Sequence, residues 1–136
     1  AGGKGDFPRE RLNKYGKLSF LGNLSRKEIR NMYRKADVLV VPSLSDGFAR
    51  VILEGMSMNV PVIVSENTAA GDIITHMVDG IIVRPRCPEE LAKKIRALYH
   101  DNELRRDIGN NARHTAEKFT WERYGNKISE IYDRIT

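Results

Sequence analysis

The stretch DVLVVPSLSDGFARVILEGMSMNVPVIVS, Asp37 to Ser65, reads as strand, sharp loop, helix and strand in one unbroken run. Asp37 to Val41 is continuously apolar after its first residue, as expected of a strand covered on both faces, and Pro42 ends it. Ala49 to Met58 (ARVILEGMSM) predicts a buried helix, and Pro61 to Ser65 (PVIVS) the next strand. Two apolar strands joined through a helix run parallel, so the fold class is α/β, a Rossmann-like parallel sheet with flanking helices.

The same alternation continues outward in both directions. Upstream, Leu18 to Gly22 (LSFLG) predicts a strand. Ser25 and Glu28 form a capping box that opens a helix with Ile29, Met32, Tyr33 and Ala36 on one face. Downstream, Gly71 to Met77 (GDIITHM) predicts a short helix and Gly80 to Val83 the last strand. Three helices fill residues 88–136. Leu91, Ile95 and Leu98 mark the first, Leu104, Ile108 and Ala112 the second, and Tyr124, Ile128, Ile131 and Ile135 the third. No repeat, low-complexity segment or long linker interrupts the 136 residues, a length that suits one domain.

The net charge of +5 and a pI near 9.5 favour anionic partners such as phosphate esters, an acidic membrane surface or nucleic acid. Nucleic acid is not expected. The basic clusters lie on helices whose other positions are Glu, Asp and Leu, with aromatics at core spacing rather than interleaved. One cysteine forbids an internal disulfide and fits a reducing, cytoplasmic setting. No apolar run approaches the roughly 20 residues of a membrane span, and no signal peptide is expected. His76, His100 and His114 form no catalytic constellation, and no metal site is expected.

Within the decisive stretch, Glu54 is a charge in an apolar helix, where an unpartnered carboxylate costs several kcal/mol. A second carboxylate, Asp46, lies eight positions upstream (54 − 46 = 8) in a Ser-Asp-Gly-Phe turn. Eight residues of helix rise about 12 Å, the scale of a nucleotide-sugar with ribose and sugar on either side of a diphosphate. Carboxylates accept well from vicinal hydroxyls. Between the two acids, the amides of Gly47, Phe48, Ala49 and Arg50 form a helix N-terminus suited to phosphate or sugar oxygens. Gly47 lets the backbone approach closely. Asp46 would equally serve as a plain helix cap, and Glu54 as one half of a buried ion pair, and the residues alone leave those readings open.

The run PSLSDGFARVILEGMSMNVPVIVSENTAAGDIITHMVDGIIVRPRCPEELAKKI resembles the donor-binding half of retaining GT-B glycosyltransferases of the family 4 type. That pattern has Pro-Ser, a Glu-Gly-Phe-Gly turn, seven residues between the acids, then Leu-Glu-Ala-Met and a Gly-x-Pro-Val-Ile strand. FLGNLSRKEIRNMYRKADVLVVPS looks like the preceding segment, and FTWERYGNKISEIY like the closing Phe-Ser-Trp helix. The resemblance implies a partial nucleotide-sugar-binding domain over residues 1–136. It implies that Glu54 binds the ribose hydroxyls and Asp46 the hydroxyls of the transferred sugar. It also implies that the amides of Phe48, Ala49, Arg50 and Val51 hold sugar and diphosphate, and that Gly22, Asn23 and Leu24 border the base. The implied enzyme is a hexosyltransferase moving a sugar from a UDP- or GDP-linked donor to a glycan or lipid acceptor, with retention and without a metal or other cofactor. Polysaccharide or glycolipid assembly at the cytoplasmic face of a membrane, with peripheral association, is implied in the same way.

Several positions depart from the pattern. Asp46 is one methylene shorter than the usual Glu, Ala49 replaces the second Gly of the turn, and Cys87 stands where Asp is common. Asn59 replaces the Gly before Pro-Val-Ile, a change that left-handed backbone tolerates in Asn. Asp72 directly follows Gly71, where the family places a Glu two residues further on. AGGKGD resembles the end of a strand-glycine turn, so an acceptor domain and the first strands are expected upstream. In the order 3-2-1-4-5-6, the chain would hold strands 3, 4, 5 and 6. Such a piece in isolation is expected to be inactive and to associate through open strand edges. Two other functions fit the same scaffold, a UDP-sugar epimerase and a non-catalytic nucleotide-sugar-binding module.

Overall fold

Residues 18–19, 21–44 and 50–135 are described in the computed structural model. Helix α1, Arg26–Lys35, starts at the expected capping box. The Glu28 amide donates to Ser25 Oγ (3.3 Å), and the Glu28 carboxylate accepts from the Ser25 amide (2.8 Å) and hydroxyl (2.6 Å). The hydroxyl foremost, and then the amide, hold the Glu28 carboxyl below its usual range, because both bonds favour the charged form.

Strands β1 (Leu39–Val41), β2 (Val62–Ser65) and β3 (Ile81–Val83) form a parallel sheet in the order β1-β2-β3. Leu39 sits opposite Val62, and Ile63 opposite Ile81. The central strand shows why an all-apolar sequence was needed. Val62 and Val64 join a core beneath helix α2 (Arg50–Ser57) with Ile52, Met56, Ile74 and Ala112. Ile63 points the other way, to Ile81, Val83, Leu98 and Ile108. Helices therefore cover both faces, and alternation along β2 feeds two cores. β1 is the exception to the expectation of full coverage. Its three residues are only half-buried, since it is an edge strand among the described residues.

The expected strand Leu18–Gly22 is not found. Leu18, Ser19, Leu21 and Gly22 have no regular structure, Phe20 lies outside the described residues, and Gly22 has a φ of +66°. A strand exists through its ladder, and the described sheet offers this segment no partner.

α2 buries one face only, through Ile52, Gly55 and Met56, so the helix expected to be buried all round is amphipathic instead. Gly55 permits this close docking, because a Cβ there would come 2.5 Å from Leu39 Cδ2. Asn59 follows at φ +60°, the left-handed geometry its sequence position suggested. Its side chain donates to Asn110 (3.0 Å) and accepts from Arg113 (3.1 Å) of helix α4, Asn102–Ala116.

The helix expected over 71–77 is a 3-10 turn at Ala69–Asp72, capped by Thr68. Asp79 explains the change. Its buried carboxylate accepts the Thr75 amide (2.7 Å) and the Thr115 hydroxyl (2.6 Å), which draws residues 75–79 into a turn held against α4. Helix α3 (Pro88–His100) packs through Leu91 and Leu98 as expected, whereas Ile95, expected on the same face, is exposed. Helix α5 (Trp121–Ile135) forms, but its stripe of Tyr124, Ile128, Ile131 and Ile135 is exposed rather than core. Periodicity predicts a face and is silent on what covers it.

Candidate functional site

The carboxyl ends of the three parallel strands meet at one edge of the molecule, where sheets of this kind bind ligands. There the Ser65 hydroxyl donates to the Ser43 carbonyl, tying the loop that leaves β1 to the end of β2. Beside it opens a recess of about 200 Å³, lined in part by Pro42, Leu44, Ser65, Val83, Arg84 and Leu91. Arg84, one of its lining residues, is braced by Glu90, which accepts from Arg84 Nε (2.9 Å) and the Arg84 amide (3.2 Å). The bond between these side chains is the main cause of a raised Arg84 pKa and a lowered Glu90 pKa. Cys87, half-buried at the start of α3, makes no capping hydrogen bond and lies 3.7 Å from the Arg84 guanidinium.

Of the residues singled out in sequence, Asp46, Gly47, Phe48 and Ala49 lie outside the described residues. Arg50 and Val51 open the described part of α2, and Glu54 stands one turn further on. Glu54 differs from expectation in two respects. Its side chain is 45% exposed rather than buried, and it has partners. The Tyr33 hydroxyl donates to Oε2 at 3.4 Å, and the Arg50 guanidinium lies 3.8 Å from Oε1. α2 turns Ile52 and Met56 inward, and 3.6 residues per turn then carries position 54 to the solvent edge. The apparent cost of a buried charge therefore does not arise.

Tyr33 is the residue that sequence reasoning misplaced. Its spacing with Ile29 marked it as core, and it is half-buried, but its polar tip reaches across to α2. Gly22, Asn23 and Leu24 lead directly into the Ser25 cap of that same helix. Burial foremost, and then the Glu54 charge, raise the Tyr33 pKa. A raised value means the fold prefers the neutral phenol. This stability is present below the ordinary tyrosine value of about 10 and is lost as pH rises through the raised one. Tyr33→Phe should remove from an alkaline absorbance titration a phenol that titrates above the ordinary tyrosine value. It should lower thermal stability by less than about 1 kcal/mol, since the bond is long and at the surface. A variant whose titration lacks an early phenol instead would show that Tyr33 is not held by Glu54.

His76 accepts the Ile82 amide at Nδ1 (3.0 Å) and so closes the bridge beside β3, a structural role. Among the described residues no group of three His, Cys, Asp or Glu side chains is placed to share a metal ion. No described helix is long and apolar enough to cross a membrane.

Comparison with known proteins agrees with this geometry. The family described as "Glycosyl transferases group 1" matches residues 7–115. An uncharacterised glycosyltransferase of Methanocaldococcus jannaschii is 32% identical over 124 residues, covering 91% of this chain and 35% of that protein. The C-terminal domain of a glycosyl transferase group 1 protein from Francisella tularensis superposes with a TM-score of 0.74 at 27% identity, covering 81% of this chain and 58% of that one. Anabaena HepE in complex with UDP-glucose gives a TM-score of 0.81 at 26% identity, covering 92% and 34%. The chain thus spans about a third of the length of the M. jannaschii and Anabaena proteins. With its parallel sheet, its helices on both faces and this match over most of its length, the chain belongs to the glycosyl transferases group 1 family and has the architecture of a C-terminal GT-B domain.

Proposed function

We propose that this chain is the donor-binding part of a retaining glycosyltransferase that moves a hexose from a UDP- or GDP-linked donor to a glycan or lipid acceptor. The observation that carries the reading is Glu54. Its carboxylate is half-exposed one turn into α2, steadied by Tyr33 and Arg50 and open to a further donor. Vicinal ribose hydroxyls are suitable donors. In this reading Asp46 positions the transferred sugar, while the amides of Phe48, Ala49, Arg50 and Val51 hold the sugar and the diphosphate. Gly22, Asn23 and Leu24, ahead of α1, border the base. As the anomeric carbon–oxygen bond breaks, charge develops on the leaving diphosphate. Amides and basic side chains stabilise that charge, so no metal is called on. The acceptor oxygen bonds to the anomeric carbon on the face the diphosphate leaves, and its proton passes to the departing diphosphate oxygen, so that one carbon–oxygen bond forms as the other breaks. The acceptor is held by a part of the enzyme outside these residues, and the reaction takes place in the cytoplasm. HepE, with UDP-glucose bound in a similar fold, supports this class of donor.

Calorimetric titration of the full-length enzyme with UDP, GDP and their sugars tests the reading, and no binding of any of them would overturn it. Asp46→Asn adds a finer test. Turnover should fall by about 10²-fold or more, while affinity for the free nucleoside diphosphate changes little, because the residue is assigned to the sugar. Equal losses in both measurements would remove that assignment.

A further inference from the structure

Helix α1 carries five cations, Arg26, Lys27, Arg30, Arg34 and Lys35, against a single acid. That acid, Glu28, is occupied by Ser25. At about 100° per residue, Arg26, Arg30, Arg34 and Lys27 fall within about 100° of arc, along about 12 Å of helix. All four are exposed, and none of them meets an acidic side chain among the described residues. Ile29 and Tyr33, half-buried, mark the side of the helix that faces the body, where Tyr33 reaches Glu54. The cationic arc is centred roughly a quarter of a turn away from them. No other described helix has such a one-signed face. On α3, Lys93, Lys94 and Arg96 share the helix with Glu89 and Glu90, and α4 and α5 mix both signs throughout.

We propose that this stripe docks the enzyme on an anionic lipid surface, with α1 lying against the headgroups. Four like charges held on one rigid arc are complementary to a flat anionic plane, and the attraction needs no pocket. The segment leading into α1 adds exposed Leu18 and Leu21, apolar groups suited to the headgroup boundary. A nucleic acid is the less suited polyanion. The arc carries no aromatic to stack on a base, and Tyr33, the helix's one aromatic, is engaged with Glu54. The proposal goes beyond donor binding and does not depend on it.

The test is co-sedimentation of the full-length enzyme with vesicles of phosphatidylcholine, alone or with phosphatidylglycerol. Binding should require the anionic lipid and should weaken from about 0.1 M to about 0.5 M salt. Arg26→Gln/Arg30→Gln/Arg34→Gln should weaken it by about 100-fold, at about fivefold per cation. A control of equal charge change, Lys93→Gln/Arg96→Gln/Arg106→Gln, should weaken it far less. Equal losses in the two triple variants, equal binding to neutral vesicles, or no binding at all would each overturn the proposal. So would tighter binding to a DNA duplex than to anionic vesicles at the same salt. Since the three arginines are exposed and meet no acidic side chain among the described residues, the melting temperature and the affinity for UDP in free solution should be unchanged. UDP titration without vesicles thus reports on the donor site separately.

Discussion

Glu54→Ala in the full-length enzyme should weaken binding of the nucleotide-sugar donor by about 2–3 kcal/mol, or about 30- to 150-fold. The expectation rests on the proposed charge-assisted hydrogen bond from ribose to a carboxylate whose neighbours are Tyr33 and Arg50. The structure also sets what should happen to stability. Glu54 is half-exposed, its Arg50 contact is 3.8 Å and its Tyr33 bond 3.4 Å, so these surface contacts contribute under about 1 kcal/mol to folding. Affinity should therefore fall much more than stability. Glu54→Gln, which keeps an acceptor but not the charge, should lie between the two. Calorimetry with UDP and GDP, beside thermal melts of both variants, measures the difference. Unchanged affinity with a large drop in melting temperature would mean that Glu54 is a structural ion-pair residue and not a ligand contact.

The second large effect separates two helix glycines that look alike in sequence. Gly109 lies in the interior of α4, buried, with the Asn59 backbone carbonyl where its Cβ would go. Gly125 lies in the interior of α5 with nothing within 4 Å of that position. Helix propensity alone favours alanine at both by up to about 1 kcal/mol. At Gly109 the overlap is with backbone, and Asn59 is held in its left-handed conformation by Asn110 and Arg113, so the carbonyl has little room to yield. Overpacking of this kind costs about 1–3 kcal/mol. Gly109→Ala should thus lose about 2 kcal/mol of stability, while Gly125→Ala should gain up to about 1 kcal/mol. Chemical denaturation of the two variants gives both numbers. A gain in each would show that α4 does not pack against Asn59 as described.

What was legible in the sequence follows from how far each signal reaches along the chain. The capping box at Ser25 and Glu28, the all-apolar β2, the left-handed Asn59 and the start of α3 at Pro88 depend on a few neighbouring residues. Patterns of that range predicted them correctly, and the family motif located the helix after β1 as the candidate site. Tertiary contacts decided four matters that these patterns could not reach. Leu18 to Gly22 has strand composition but no ladder partner in the described sheet. Residues 71–77 have helical spacing, yet the buried Asp79 pulls the Thr75 amide into a turn pinned by Thr115, 36 residues away in sequence. α5 has a core-like stripe with nothing described over it. Glu54 looked like a stranded charge until the fold turned it to solvent and brought Tyr33, 21 positions upstream, to its carboxylate. The parallel α/β class, the order of the elements after α1 and the acid-bearing helix are written in local patterns, because periodicity and caps span only a few neighbouring residues. Which faces are covered and which partners a charge meets were settled by folding, because burial and ion pairing depend on atoms brought together from distant parts of the chain.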